Sequence, residues 1–270
     1  MKNYVLIDFT EESIDALRYA TEFTKETKGT LEIVNVADAT KRSEDTQDLE
    51  VLASKFSSDD FEIKINELVG EMEDELPAFL NREKAGFVFC GPHALKSMEP
   101  FFSSRALNLL NNVTSNFIFI PKELKKFSPI EEILIPIFND HDSIQNIEAL
   151  IYLHQFMPFT TRLITANNKD AEMTANAIVA SKLLSKAGMP FKTEFSGKDE
   201  DEMRDGLVES AKLLNSDMIS IVNLTEVNLF NFGAKGFVEN LIRNDYGFPV
   251  LVIQHQQNKY YSGFHTTGGH

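Results

Sequence analysis

Residues 5–13 read Val5-Leu6-Ile7-Asp8-Phe9-Thr10-Glu11-Glu12-Ser13. A short apolar run, beginning at Tyr4, stops at Asp8, and Thr10 then stands where a helix needs an N-cap. Ile14, Leu17, Ala20 and Phe23 follow at helical spacing, and Gly29 reads as the stop of that helix. Strand, acidic turn, capped helix: this is the opening of an α/β unit.

The alternation continues outward from there. Leu31 to Val36, Phe61 to Ile65, Phe87 to Cys90 and Phe117 to Ile120 read as strands. Helical patterns lie between them, notably Met72 to Arg82 and Ser104 to Val113. Lys122 to Pro129, charged and ending in Ser128-Pro129, reads as a linker, after which the same order restarts. Strands are expected at 133–137, 162–165, 191–195, 218–222 and 250–253, with helices at 143–154, 171–187, 202–214 and 235–244. The fold class expected is α/β, as two tandem doubly wound parallel five-stranded sheets related by a pseudo-two-fold axis. The units are residues 1–124 and 130–255, with a polar tail at 256–270.

Composition narrows the functional classes. The 270 residues are 43% hydrophobic, enough for a core in each of two units without disulfides or metal. A formal net charge of −15 repels nucleic-acid backbones and anionic membranes, so neither is expected as a partner. Cys90 is the only cysteine. It suits a reducing compartment and reads as a buried structural thiol. The N-terminus enters a strand directly, and no apolar run approaches the roughly 20 residues that cross a bilayer, so a cytoplasmic location is expected. The acidic clusters Glu71, Glu73, Asp74, Glu75 and Asp199 to Glu202 fit helix N-terminal turns, where the helix dipole favours anions.

Several chemistries lack their residues. No Gly-x-Ser-x-Gly elbow, no P-loop and no GxGxxG after a strand is present. The six histidines include no pair at metal-site spacing. No catalytic or metal-binding residues are assigned, and a conventional enzyme is not the expected reading.

The opening 5–13, the stretch Ala85-Gly86-Phe87-Val88-Phe89-Cys90-Gly91-Pro92-His93-Ala94 and the closing 103–121 resemble a universal stress protein domain. The second half resembles the same frame at 216–222 and 236–253. That resemblance implies an adenine nucleotide alpha hydrolase-like fold and a stress-linked regulatory role. Members that bind ATP carry Gly, two residues, Gly, nine residues, Gly, then Ser or Thr, where glycines let the backbone approach phosphate. Here Gly91 matches the first glycine and His93 follows it. Ala94 replaces the second glycine, and after a spacer of eight residues, one short of nine, Ser103 and Ser104 stand at the closing positions.

The resemblance implies that Asp8 meets the ribose or adenine end, Val36 the base, and Gly91, His93, Ala94, Ser103 and Ser104 the phosphates. The ligand implied is ATP or another adenine nucleotide with Mg²⁺, in the first half only. In the second half Phe138 falls at the Asp position, Asn223 and Glu226 at the glycines, and Phe237 at the Ser or Thr. No nucleotide is expected there. The partners expected are an adenine nucleotide, a protein, and a second copy of the chain in addition to the internal pseudo-dimer. Two rival readings remain open: a nucleotide-free protein-interaction module, and a flavin- or nucleotide-using enzyme of a related α/β family.

Overall fold

In the computed structural model, residues 1–37, 42–92, 110, 112–124, 126–166, 171–223, 237–238 and 240–254 are described. The first half runs β1 (Lys2–Leu6), α1 (Glu11–Glu26), β2 (Thr30–Ala37), α2 (Arg42–Phe56), β3 (Ile63–Val69), α3 (Met72–Glu83), β4 (Phe87–Cys90) and β5 (Asn116–Phe119). The second half begins with β6 (Glu132–Ile137). A 3-10 turn (His141–Gln145) leads into α4 (Asn146–His154), followed by β7 (Thr160–Thr165), α5 (Ala171–Lys186) and β8 (Phe191–Phe195). It ends with α6 (Glu200–Asp205), α7 (Leu207–Leu213), β9 (Met218–Asn223) and β10 (Val250–Gln254).

All ten strands form one sheet, in the order β3-β2-β1-β4-β5-β10-β9-β6-β7-β8. Within each half every pairing is parallel. The halves join through β5 and β10, which pair antiparallel with Phe119 opposite Val250, Ile118 opposite Leu251 and Phe117 opposite Val252. The register is symmetric. Phe117 lies beside Val88 and Tyr4 in its half as Val250 lies beside Ile219 and Leu134 in the other. Ile118 and Leu251 therefore sit on the pseudo-two-fold axis, and the two five-stranded units share a continuous sheet.

Side chains alternate across the sheet, as strand geometry demands. Val5, Ile7, Ile33, Phe87 and Phe89 face α1, and Ile133, Ile135 and Leu163 lie in the same core cluster as buried residues of α4 and α5. Tyr4, Leu6, Val34, Val88, Leu134 and Ile219 face the other way, with Leu76, Phe79 and Leu80 of α3 and with Met203 and Leu207. The segment read as a linker is anchored: Phe127 packs edge-on against Tyr19 at 5.0 Å, and Ile130 is buried.

Local chemistry sets the helix ends. Thr10 Oγ1 accepts from the Ser13 amide at 3.2 Å, capping α1. Asp199 caps α6 by accepting from the Glu202 amide at 2.9 Å, and Glu200, Asp201 and Glu202 fill its first turn. Glu73, Asp74 and Glu75 do the same in α3.

Some expectations need correction. Gly29 does not stop α1. Lys28 takes the left-handed turn (φ 52°), while Gly29 serves a close approach, since a Cβ there would fall 2.6 Å from the Met1 carbonyl oxygen. The helix expected at 202–214 is two helices broken at Gly206. The helix α2 was not singled out in the sequence. Its buried Leu49, Leu52 and Ala53 follow helical spacing for only one turn in a largely polar segment. The helix expected at 104–113 lies mostly outside the described residues, whereas residues 237–238 and 240–242 of the one expected at 235–244 are helical.

Candidate functional site

The strand order turns around between β1 and β4. From β1 the chain moves outward through β2 and β3, then crosses back to β4 on the other side. Such a switch point leaves a crevice at the carboxyl ends of the strands. Asp8 follows β1, Val36 lies near the end of β2, and Gly91 follows β4 directly, so these three expected residues come to one end of the sheet. His93, Ala94, Ser103 and Ser104 lie outside the described residues.

Asp8 is half-buried and held by its own turn. Its Oδ1 accepts from the Thr10 amide at 3.1 Å and from the Thr10 hydroxyl at 2.5 Å. Its backbone amide donates to Ser13 Oγ at 3.4 Å. Phe9 between them is left-handed (φ 62°), a conformation the local hydrogen bonds impose on a residue that disfavours it. Among the described residues no hydrogen bond engages Asp8 Oδ2. Asn35 ties β2 to β1 at the same end, donating from Nδ2 to the Ile7 carbonyl at 2.8 Å. Val36 packs on the opposite face, against the core that contains Val34 and Cys90.

Gly91 has a structural reason to be glycine. A Cβ there would fall 2.9 Å from Glu12 backbone atoms, so the end of β4 abuts the first turn of α1. Cys90 beside it is fully buried. Burial, and then the nearby Asp8 charge, hold its thiol well above the usual range, so it is protonated and unreactive in the folded chain.

The second half carries the same turn with different contents. The Phe138 amide donates to Ser143 Oγ at 3.3 Å, as the Asp8 amide does to Ser13. Phe138 is buried and meets Phe237 edge-to-face at 5.9 Å. The Arg204 guanidinium lies 5.1 Å from the centre of the Phe138 ring and 5.9 Å from that of Phe237. Ion pairs to Glu200 (2.7 Å) and Asp201 (3.0 Å) hold Arg204 in place. Aromatic and guanidinium side chains thus pack at the position that the Asp8 carboxylate takes in the first half. The strand register also moves one sequence-based match: Tyr4 pairs with Val88 and Leu134 with Ile219, so Val222, not Asn223, stands where Gly91 does. In this half, where valine replaces that glycine, the turn corresponding to the first turn of α1 is 3-10 (His141–Gln145). Glu226, Phe230 and Phe232 lie outside the described residues.

Two five-stranded halves joined through antiparallel edge strands, each with the order 3-2-1-4-5, decide the comparison. The fold is that of a universal stress protein. A universal stress protein from Archaeoglobus fulgidus superposes with a TM-score of 0.68 at 13% identity, covering 95% of this chain and 97% of that one. A universal stress protein solved in complex with cAMP matches 44% of this chain and 95% of its own, with a TM-score of 0.35 and 16% identity. No protein-family model matches the sequence, and no curated protein is similar to it.

Sequence reasoning missed Ser13 and Ser143, which anchor the two turns, and Arg204, which covers Phe138. The serines had a signal: each stands five residues after the position that differs between the halves, Asp8 and Phe138. Arg204 had none, because its place over the rings depends on how α6 lies on the sheet. Among the described residues no group of three or more His, Cys, Asp or Glu side chains could hold a metal, and no helix is long and apolar enough to cross a membrane.

Proposed function

We propose that this chain is a regulatory protein of the universal stress type whose first half, residues 1–124, binds an adenine nucleotide, while the second, residues 130–255, has lost that capacity. The observation that carries this reading is the contrast at one position. Asp8 offers a half-buried carboxylate at the strand-switch crevice, whereas Phe138, Phe237 and Arg204 fill the matching place.

The chemistry follows from the residues. Asp8 Oδ1 is committed to Thr10, which fixes the carboxylate and leaves Oδ2 to accept from a ribose hydroxyl. Val36 borders the base. Gly91, His93, Ala94, Ser103 and Ser104 form the phosphate end, where small residues and hydroxyls suit an anion. Mg²⁺ accompanies the nucleotide and neutralises part of the phosphate charge. No general base is assigned, and the role is binding and signalling rather than turnover, in the cytoplasm.

Equilibrium titration with ATP and Mg²⁺, with cAMP and GTP in parallel, tests this. One adenine nucleotide per chain is expected, weakened about tenfold or more in Asp8→Ala, the cost of losing a hydrogen bond to a charged acceptor. No binding at millimolar nucleotide, with Asp8→Ala indistinguishable from the parent, would leave a nucleotide-free interaction module as the reading.

A further inference from the structure

The sheet ends at β8, which among the described residues pairs only with β7. Its outer edge carries backbone groups with no strand beside them, the usual template for pairing with another chain. The strand reads Phe191-Lys192-Thr193-Glu194-Phe195. This sequence is self-complementary about Thr193. An antiparallel pair of two such strands sets Lys192 of each opposite Glu194 of the other, Phe191 opposite Phe195, and Thr193 opposite Thr193. Each is a favourable cross-strand pair.

The surroundings extend the match. Lys192 Nζ lies 3.1 Å from Glu132 Oε2, and Glu194 Oε1 lies 2.5 Å from an Arg162 guanidinium nitrogen. A second β8 would therefore continue a row of alternating charge already laid across β6, β7 and β8. The other face is apolar. Phe191 packs against the core cluster that holds Ala177, Ala180 and Leu184 of α5, and Phe195 on that face is 62% exposed. Helix α5 also exposes Ile178, Val179 and Leu183. A two-fold axis normal to the sheet brings a second α5 alongside in the opposite direction. Glu172 in its first turn and Lys186 in its last then approach their opposites.

The far edge of the sheet does not have this property. About the centre of β3, at Asn66, Lys64 would meet Leu68 and Ile65 would meet Glu67. Joining β3 of one copy to β8 of another is head-to-tail and would propagate as an open filament rather than close.

We propose that two copies of this chain associate β8 to β8 about a two-fold axis at Thr193, extending the ten-stranded sheet across a closed dimer. The contact is small beside a standard interface, so association is expected at micromolar concentrations.

Sedimentation velocity on the full chain, up to about 100 µM, tests it. The parent should show a concentration-dependent monomer–dimer equilibrium. Lys192→Glu and Glu194→Lys each place like charges opposite one another twice, and each should weaken self-association at least about tenfold. Mixing the two variants should restore dimers, because every cross-strand pair is then of opposite sign. Thr193→Cys should form an intermolecular disulfide under mild oxidation, since the two positions face each other on the axis at bridging distance. This last variant decides the matter if the charge variants fail to fold. A monomeric parent, dimers untouched by both charge changes, a mixture that stays monomeric, filaments, or no Thr193→Cys cross-link would each overturn the proposal.

Discussion

Asp8 and Phe138 occupy the same place in two copies of one turn, each ending a central strand with its amide bonded to a serine five residues on. The backbone is retained and the side chain is exchanged. A half-buried carboxylate follows the strand in one half, and a buried aromatic ring takes its place in the other. The exchange makes the two ends of the sheet chemically different although their topology is equal, and it bears on stability as well as on binding.

Phe138→Ala removes a buried ring that contacts Phe237 and lies under Arg204. A loss of about 3 kcal/mol is expected by urea unfolding, the usual cost of emptying a buried phenylalanine site. Nucleotide titration of this variant should match the parent, since the first half is untouched.

Gly91→Ala tests whether that glycine is needed before any ligand arrives. The added Cβ would meet the Glu12 backbone at 2.9 Å, and backbone yields less readily than a side-chain end. Destabilisation of about 2 kcal/mol is expected in nucleotide-free protein. An unchanged unfolding midpoint would mean that α1 does not abut β4.

Glu132 joins β6 to β7 and β8. Its side chain accepts from Arg162 Nη2 at 2.8 Å, pairs with Lys192, and takes a hydrogen bond from Ser216 at 3.3 Å. Glu132→Gln leaves the nearly buried Arg162 without its main counter-charge, and about 3 kcal/mol of stability should be lost. The first half holds a pair of reversed sign at the same register, Lys2 with Glu32 at 3.3 Å. Lys2 is more exposed, so Lys2→Gln should cost well under half as much.

The same carboxylate sets an acid response. Burial alone would raise the Glu132 carboxyl, but Arg162 and Lys192 outweigh it and hold it below the usual range. A carboxyl lowered on folding contributes stability that is complete above its unfolded value, near pH 4.3, and is lost as pH falls through the folded value. Stability of the parent should drop below about pH 4.3 more steeply than that of Glu132→Gln, measured as unfolding midpoints across the acid range.

Cys90 should resist thiol reagents in the native chain. It is fully buried and its thiol is held protonated by burial and by Asp8. Modification should proceed only at the rate of unfolding, and fast labelling of folded protein would contradict the packing of β4.

Much of the fold was legible in short stretches. Phe87–Cys90 and Phe191–Phe195 are strands at the residues expected, and Thr10 caps α1. These elements are bounded by local chemistry, a cap or an abrupt end to an apolar run. The single helix expected at 202–214 runs through the break at Gly206 because Met203, Leu207 and Ala211 keep helical spacing across it. Helix α2 was not singled out because most of its turns face water. At the site, Asp8, Val36 and Gly91 were legible as positions, while the reason for Gly91 was not, since Glu12 lies far from it in the chain and close to it only in the fold.

The sequence by itself determined the alternation of strands and helices, the restart after Pro129, and the exchange of Asp8 for Phe138, because periodicity, caps and composition act over a few residues. Only the tertiary structure decided that the two units share one sheet through Ile118 and Leu251, that Arg204 covers the Phe138 ring, and that β8 pairs only with β7 among the described residues. Those outcomes depend on which strand edges meet and which faces are covered, and that is settled by burial summed over residues far apart in the chain.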